Sequence, residues 1–68
     1  MSFILSFDLP REMSSARVRI FRELKRANAE KIHDSLWKSE NVEFLIHIAT
    51  FIKSLDGKAR ILEEKFIF

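Results

Sequence analysis

The chain has no cysteine, one glycine and one proline in 68 residues. Without cysteine there is neither a disulfide framework nor a thiolate metal site. A single glycine excludes a P-loop, a glycine-rich dinucleotide loop and a G-x-S-x-G nucleophile turn. Long apolar runs are missing too. The longest late uncharged stretch, Phe44 to Ile52, covers nine residues, far below the roughly 20 a spanning helix needs. The opening apolar run meets Asp8 and Pro10 with no cationic segment before it, so a secretory signal is not expected. A cytoplasmic protein with no membrane partner is the expectation.

What is present suffices for one small core. Residues 1–68 are read as a single domain, 47% hydrophobic and with seven phenylalanines. Folding at this size buries only roughly 60% of the unfolded chain's surface, so a homodimer is expected as reinforcement. Repeats, linkers and low-complexity segments are absent. The net charge of +2 is unevenly spread. Between Pro10 and Lys31, seven basic residues face three acidic ones. A phosphate-binding surface needs such concentration; a solvated helix face can also look this way.

Phe3, Leu5 and Phe7 alternate with Ser2, Ile4, Ser6 and Asp8, which predicts a strand with one strongly apolar face. Asp8 falls on the other face, and Pro10 stops the strand. Ser14 and Ser15 are N-cap candidates for a helix over about residues 15–28. Ala16, Ile20, Leu24 and Ala27 form its inner stripe, and Arg19, Arg22 and Arg26 share an outer face. Glu23, four residues after Arg19, can pair with it. Residues 29–39 suit two short strands in a tight hairpin, or one bent strand. Asn41 can cap a second helix over Val42 to Leu55. That helix is apolar almost all round, which predicts burial on more than one side and hence a subunit interface or partner. Gly57 ends it. Lys58 to Leu62 reads as a strand, and Phe66-Ile67-Phe68 either finishes it or pairs with another subunit's sheet edge. The order βαββαβ predicts an α+β, ferredoxin-like split βαβ fold: an antiparallel sheet with two helices on one face and Asp8 on the open one.

The runs F-I-L-S-F-D-L-P, R-V-R-I-F-R-E-L-K-R and I-H-D-S-L-W together resemble the small CRISPR-associated adaptation protein, the second Cas protein family. The resemblance covers most of the chain in order. It implies a ferredoxin-like homodimer joined through the open sheet faces, with each C-terminal segment adding a strand to its partner. Asp8 would lie near its copy across the two-fold axis and hold a divalent metal, Mg²⁺, in nuclease-active members. The dimer would bridge CRISPR integrase subunits and grip DNA phosphates as a scaffold. Ser35-Leu36-Trp37 matches the family's Ser-aliphatic-aromatic step, but Lys38-Ser39 stands where Glu-Gly is usual, and the tail is short. VapD-type ribonucleases and the C-terminal domain of PaaX-type repressors share the pattern.

Asp8 is therefore the candidate metal ligand and catalytic carboxylate, although an Asp after a strand is ordinarily a turn former or cap. Mg²⁺ takes oxygen ligands and keeps several waters, and a two-fold axis supplies a second carboxylate. Arg11, Arg17, Arg19, Arg22, Arg26 and Lys31 are the candidate contacts to a DNA or RNA backbone, reading phosphates and not sequence. His33 and Asp34 point to opposite faces if both lie on a strand, which prevents joint acid–base work; His33 reads as a surface residue. His47 reads as a satisfied core or interface histidine. Trp37 can stack on a base, but core filling is its commoner role. Three function classes stand open: a nucleic-acid-binding structural subunit in spacer acquisition with metal-dependent endonuclease activity at Asp8, a VapD-like ribonuclease toxin, and a non-catalytic protein-interaction module.

Overall fold

Alternation in the first strand sets the architecture. In the computed structural model, which describes residues 1–65, β1 (Phe3–Asp8) buries Leu5 and Phe7 and leaves Asp8 exposed. The remaining elements are α1 (Ser14–Arg26), β2 (Glu30–His33), β3 (Leu36–Ser39), α2 (Val42–Ser54) and β4 (Lys58–Glu63). The four strands form one antiparallel sheet in the order β2-β3-β1-β4. This is the ferredoxin-like split βαβ arrangement expected from the sequence. The terminal triplet Phe66-Ile67-Phe68 lies outside the described residues.

One core joins the sheet to both helices. Ile20 and Leu24 of α1 and Leu45, Ile48 and Ile52 of α2 pack with Leu5, Phe7 and Trp37. Those strand residues share one face, so both helices lie on it and the other face stays open. Each fully buried Leu or Ile contributes about 1.5–3 kcal/mol through removal of apolar surface from water. Trp37 belongs to this core. Its indole Nε1 donates to the Asp34 carbonyl at 3.0 Å, and its ring lies 5.8 Å from that of Phe21. It is 1% exposed and no base can stack on it.

The helix starts differ. Asn41 caps α2 as expected, its side chain accepting from the Phe44 amide at 3.1 Å. α1 begins one residue earlier than the periodicity implies. Ser14 and Ser15 lie inside its first turn, Met13 holds the N-cap position, and no side chain caps it. The reason is local: Pro10 accepts from the Met13 amide and Met13 accepts from the Arg17 amide, both at 3.0 Å. The chain is thus already turning before the serines arrive.

Both helices end in the same way. Asn28 donates to Lys25 O and Ala29 to Leu24 O; Asp56 donates to Lys53 O and Gly57 to Ile52 O. These paired bonds make a Schellman turn, with Asn28 (φ 61°) and Asp56 (φ 63°) in the left-handed position. Gly57 is therefore not the left-handed residue. It is required by space: a Cβ there would sit 2.6 Å from Ile52 Cγ2 and 2.8 Å from the Asp8 carbonyl oxygen.

Residues 29–39 form a hairpin with Asp34-Ser35 as its turn. The expectation that α2 is buried on more than one side is not met within one chain. Leu45, Ile48, Ala49 and Ile52 face the core, whereas Ile46 and His47 face outward. Among the described residues, no helix is long and apolar enough to cross a membrane.

Candidate nucleic-acid interface

The arginines of α1 divide into two sets. Arg19, Arg22 and Arg26, spaced three and four apart, are all exposed and line the outer surface of the helix layer. No acidic residue occupies the first turn, and Lys25 and Arg26 close the last. Val18, also exposed, borders this stripe. Arg22 and Arg26 form no ion pair among the described residues. Arg19 is engaged otherwise: its guanidinium carbon stands 4.8 Å from the centre of the Phe51 ring, linking α1 to α2. It forms no ion pair with Glu23 among the described residues, because the ring takes its place.

Arg17 and Lys31 lie elsewhere. Arg17 sits on the inner flank of α1, half-buried, and its Nη2 donates to the Leu9 carbonyl at 3.4 Å. Lys31 Nζ bonds Asp34 Oδ1 at 2.7 Å and stands 5.9 Å from the Phe21 ring centre. That pairing holds the Asp34 carboxyl below its ordinary range; the Lys31 hydrogen bond is the main cause and its charge the next. Arg11 is exposed in the turn before α1. The six expected contacts thus divide into an outer stripe of three, one loop residue, and two at the hairpin end of the sheet.

Asp8 ends β1 at that same end. Two shallow grooves meet at it. One, of about 160 Å³, is lined by Leu9, Arg17, Phe21, Asp34 and Ser35 among others. The second, of about 150 Å³, is formed with Ser6, Lys58 and Arg60. Strand register explains the second: Lys58 lies opposite Asp8, and Arg60 opposite Ser6, on the open face. Sequence reading missed both cations. The signal was available: Lys58, Arg60 and Leu62 alternate, and the βαββαβ order sets β4 beside β1.

The donor set can be weighed against Mg²⁺. No group of three or more His, Cys, Asp or Glu able to hold a metal occurs among the described residues. Of the two carboxylates lining these grooves, Asp34 is held by Lys31, and Asp8 has Lys58 as its cross-strand neighbour. One free carboxylate beside a cation does not fit a magnesium site. Within a single chain, Asp8 is an exposed strand-end carboxylate.

His33 ends β2, with Asp34 following in the turn, and is exposed as expected. His47 is exposed as well, beside Arg19, Glu23 and Phe51 in the crevice between the helices. It is not a core histidine: the turn-by-turn pattern of α2 sets Ile48 inward and its predecessor outward. Lys38 ties the open face together, reaching Glu30 at 3.8 Å and Glu64 at 3.5 Å. No family model matches the chain, and no curated protein matches it significantly.

Proposed function

We propose that this chain is a nucleic-acid-binding subunit that acts as a homodimer and grips phosphate backbones with the outer face of α1. The observation that carries the reading is the stripe of Arg19, Arg22 and Arg26: exposed and, among the described residues, unpaired with carboxylates, with Arg19 also standing over the Phe51 ring. Guanidinium groups match phosphate geometry and release counterions on contact. Such contacts position a duplex or single strand without reading its bases. The resemblance to the small CRISPR adaptation family supports a scaffold role in spacer acquisition, beside a CRISPR integrase subunit.

A divalent ion at Asp8 would need a carboxylate from outside the chain, which a two-fold axis can supply. Endonuclease activity at Asp8 is therefore a property of the assembled dimer in this reading. A nuclease panel on single- and double-stranded DNA and RNA, with Mg²⁺, Mn²⁺ or EDTA, compares wild type with Asp8→Asn. Metal-dependent cleavage lost in Asp8→Asn makes Asp8 a metal ligand, and cleavage confined to RNA favours the toxin-like ribonuclease. No cleavage above the variant's background, with salt-sensitive binding retained, leaves a scaffold. Mixing with a purified CRISPR integrase subunit is expected to give co-elution. No co-elution, together with binding insensitive to salt, would overturn the reading.

A further inference from the structure

The two edges of the sheet are built differently. The β2 edge is four residues long and shifts register between Lys31 and His33. A short, irregular edge resists the addition of another strand. The β4 edge runs six residues, Lys58–Glu63, in unbroken register with β1 and without proline. Among the described residues, no strand pairs with its outer side.

Its hydrogen-bonding groups can be assigned by position. The Glu64 amide donates to the Ser2 carbonyl at 2.9 Å. In an antiparallel ladder the direction of these groups alternates along the strand. Lys58, Arg60 and Leu62 therefore turn theirs toward β1, while Ala59, Ile61 and Glu63 turn theirs outward. On the helix side of this edge, a groove of about 430 Å³ runs between α2 and β4, lined by Ile46, Ala49, Thr50 and Ile61 among others. Ile46 and, on the open face, Leu62 are 52% and 53% exposed.

We infer that a second copy of this chain closes the edge, β4 pairing antiparallel with β4 of the partner about a two-fold axis at Ile61. Such an axis stands normal to the sheet and pairs odd positions with odd, even with even. Centring on Arg60 would set two like charges directly opposite each other, which is destabilising. Centring on Leu62 would set Arg60 opposite Glu64 of the partner subunit, but it leaves Ala59 opposite a position past the end of β4, so fewer outward groups of the strand are matched. Centring on Ile61 uses the outward groups of Ala59, Ile61 and Glu63 from both copies. It also sets Lys58 opposite Glu64 of the partner subunit, adding a second cation beside the carboxylate that Lys38 already holds at 3.5 Å, twice by symmetry. Arg60 then faces Leu62 of the partner subunit, its aliphatic stem against the exposed leucine. The helix layers lie on the same side, bringing the two α2–β4 grooves and their Ile46 side chains to the seam. That covers Ile46, the apolar residue of α2 that the chain's own core leaves exposed.

This interface specifies one homodimer for the preceding reading and is independent of nucleic-acid binding. Asp8 lies one strand inward of β4 and three positions along from the Ile61 axis, so the two Asp8 carboxylates stay apart and a metal shared between them would contradict it. It is tested by cross-linking, since the chain has no cysteine of its own. Arg60→Cys and Leu62→Cys alter exposed positions on the open face. Opposite residues of a non-hydrogen-bonded pair have Cα atoms about 4.5 Å apart, within disulfide reach. Mild oxidation of a mixture of the two variants is expected to double the mass, and oxidation of either alone is not. Cross-linking by Arg60→Cys alone, or by Leu62→Cys alone, would overturn the Ile61-centred register. Glu63→Pro removes an outward donor and spares the β1 ladder, so sedimentation should shift from dimer toward monomer; an unshifted dimer would contradict the edge. A wild-type dimer with no cross-link in the mixture would sink the β4 interface alone. A wild-type monomer would remove the homodimer from both readings. Loss of DNA binding with cross-linking intact would count only against the arginine stripe.

Discussion

α1 and α2 are each thirteen residues long and end in the same left-handed turn. Their outer faces have little else in common. α1 buries Ile20 and Leu24 and turns Arg22 and Arg26 to water; α2 buries Leu45, Ile48, Ala49 and Ile52 and still leaves Ile46 outside. Charge on a solvated face contributes little to folding, so it is available for a ligand. Ile46, exposed beside the β4 edge where Leu62 is exposed too, is the part of α2 that a partner at that edge would cover. One layer of two helices therefore presents an arginine-rich surface on α1 and, on α2, a mostly polar one (Glu43, His47, Thr50, Lys53) interrupted by Ile46. Among the described residues, the contact that crosses them by charge is Arg19 on Phe51.

The contrast can be broken most severely in the core. Leu45→Ala, at a fully buried position, is expected to cost about 2–5 kcal/mol. Arg22→Ala, on the exposed face, should stay within about 0.5 kcal/mol of wild type. Urea unfolding of both checks the pair, and equal costs would contradict the division of labour. Next comes the turn after α2. Gly57→Ala pushes a methyl group against Ile52 and the Asp8 carbonyl, for an expected loss of about 1–3 kcal/mol; thermal melting reads it. Arg19→Ala removes the cation–π contact and should cost about 0.5–1 kcal/mol, more than Arg22→Ala does. A double-mutant cycle with Phe51→Leu isolates that coupling.

The smallest effect concerns pH. Lys31 holds the Asp34 carboxyl below its ordinary value of 3.8. A carboxyl lowered on folding stabilises the fold above its unfolded pKa and loses that contribution as pH falls through its folded one. The loss should begin near pH 4 and be small, because the pair is exposed. Acid titration of stability in Asp34→Asn is expected to be slightly flatter below pH 4 than in wild type. A steeper titration would contradict the assignment.

Much of the fold was legible because its signals are local. Alternation in β1, the inner stripe of α1, the Asn41 cap and the order of elements each follow from a few neighbouring residues. The α1 start does not follow from them, because a backbone turn at Pro10 and Met13 replaces the serine caps. Gly57 closes the turn after α2 as expected, but the left-handed φ belongs to Asp56, and the need for a bare Cα at Gly57 comes from Ile52 and from Asp8, the latter far off in sequence. At the site, the outer arginine stripe was readable from spacing alone. The inward turn of Arg17, the tie between Lys31 and Asp34, and the placement of Lys58 and Arg60 beside Asp8 and Ser6 depend on tertiary pairing. Periodicity in one element does not reveal such pairing.

The most direct measurement is duplex DNA affinity against salt concentration for wild type and for Arg19→Ala/Arg22→Ala/Arg26→Ala. Each phosphate contact contributes about 0.9 to the log–log slope. The triple variant should therefore bind more weakly and lose up to about 2.7 from that slope. An unchanged slope, or binding in the wild type that does not respond to salt, would contradict phosphate recognition by the outer face of α1.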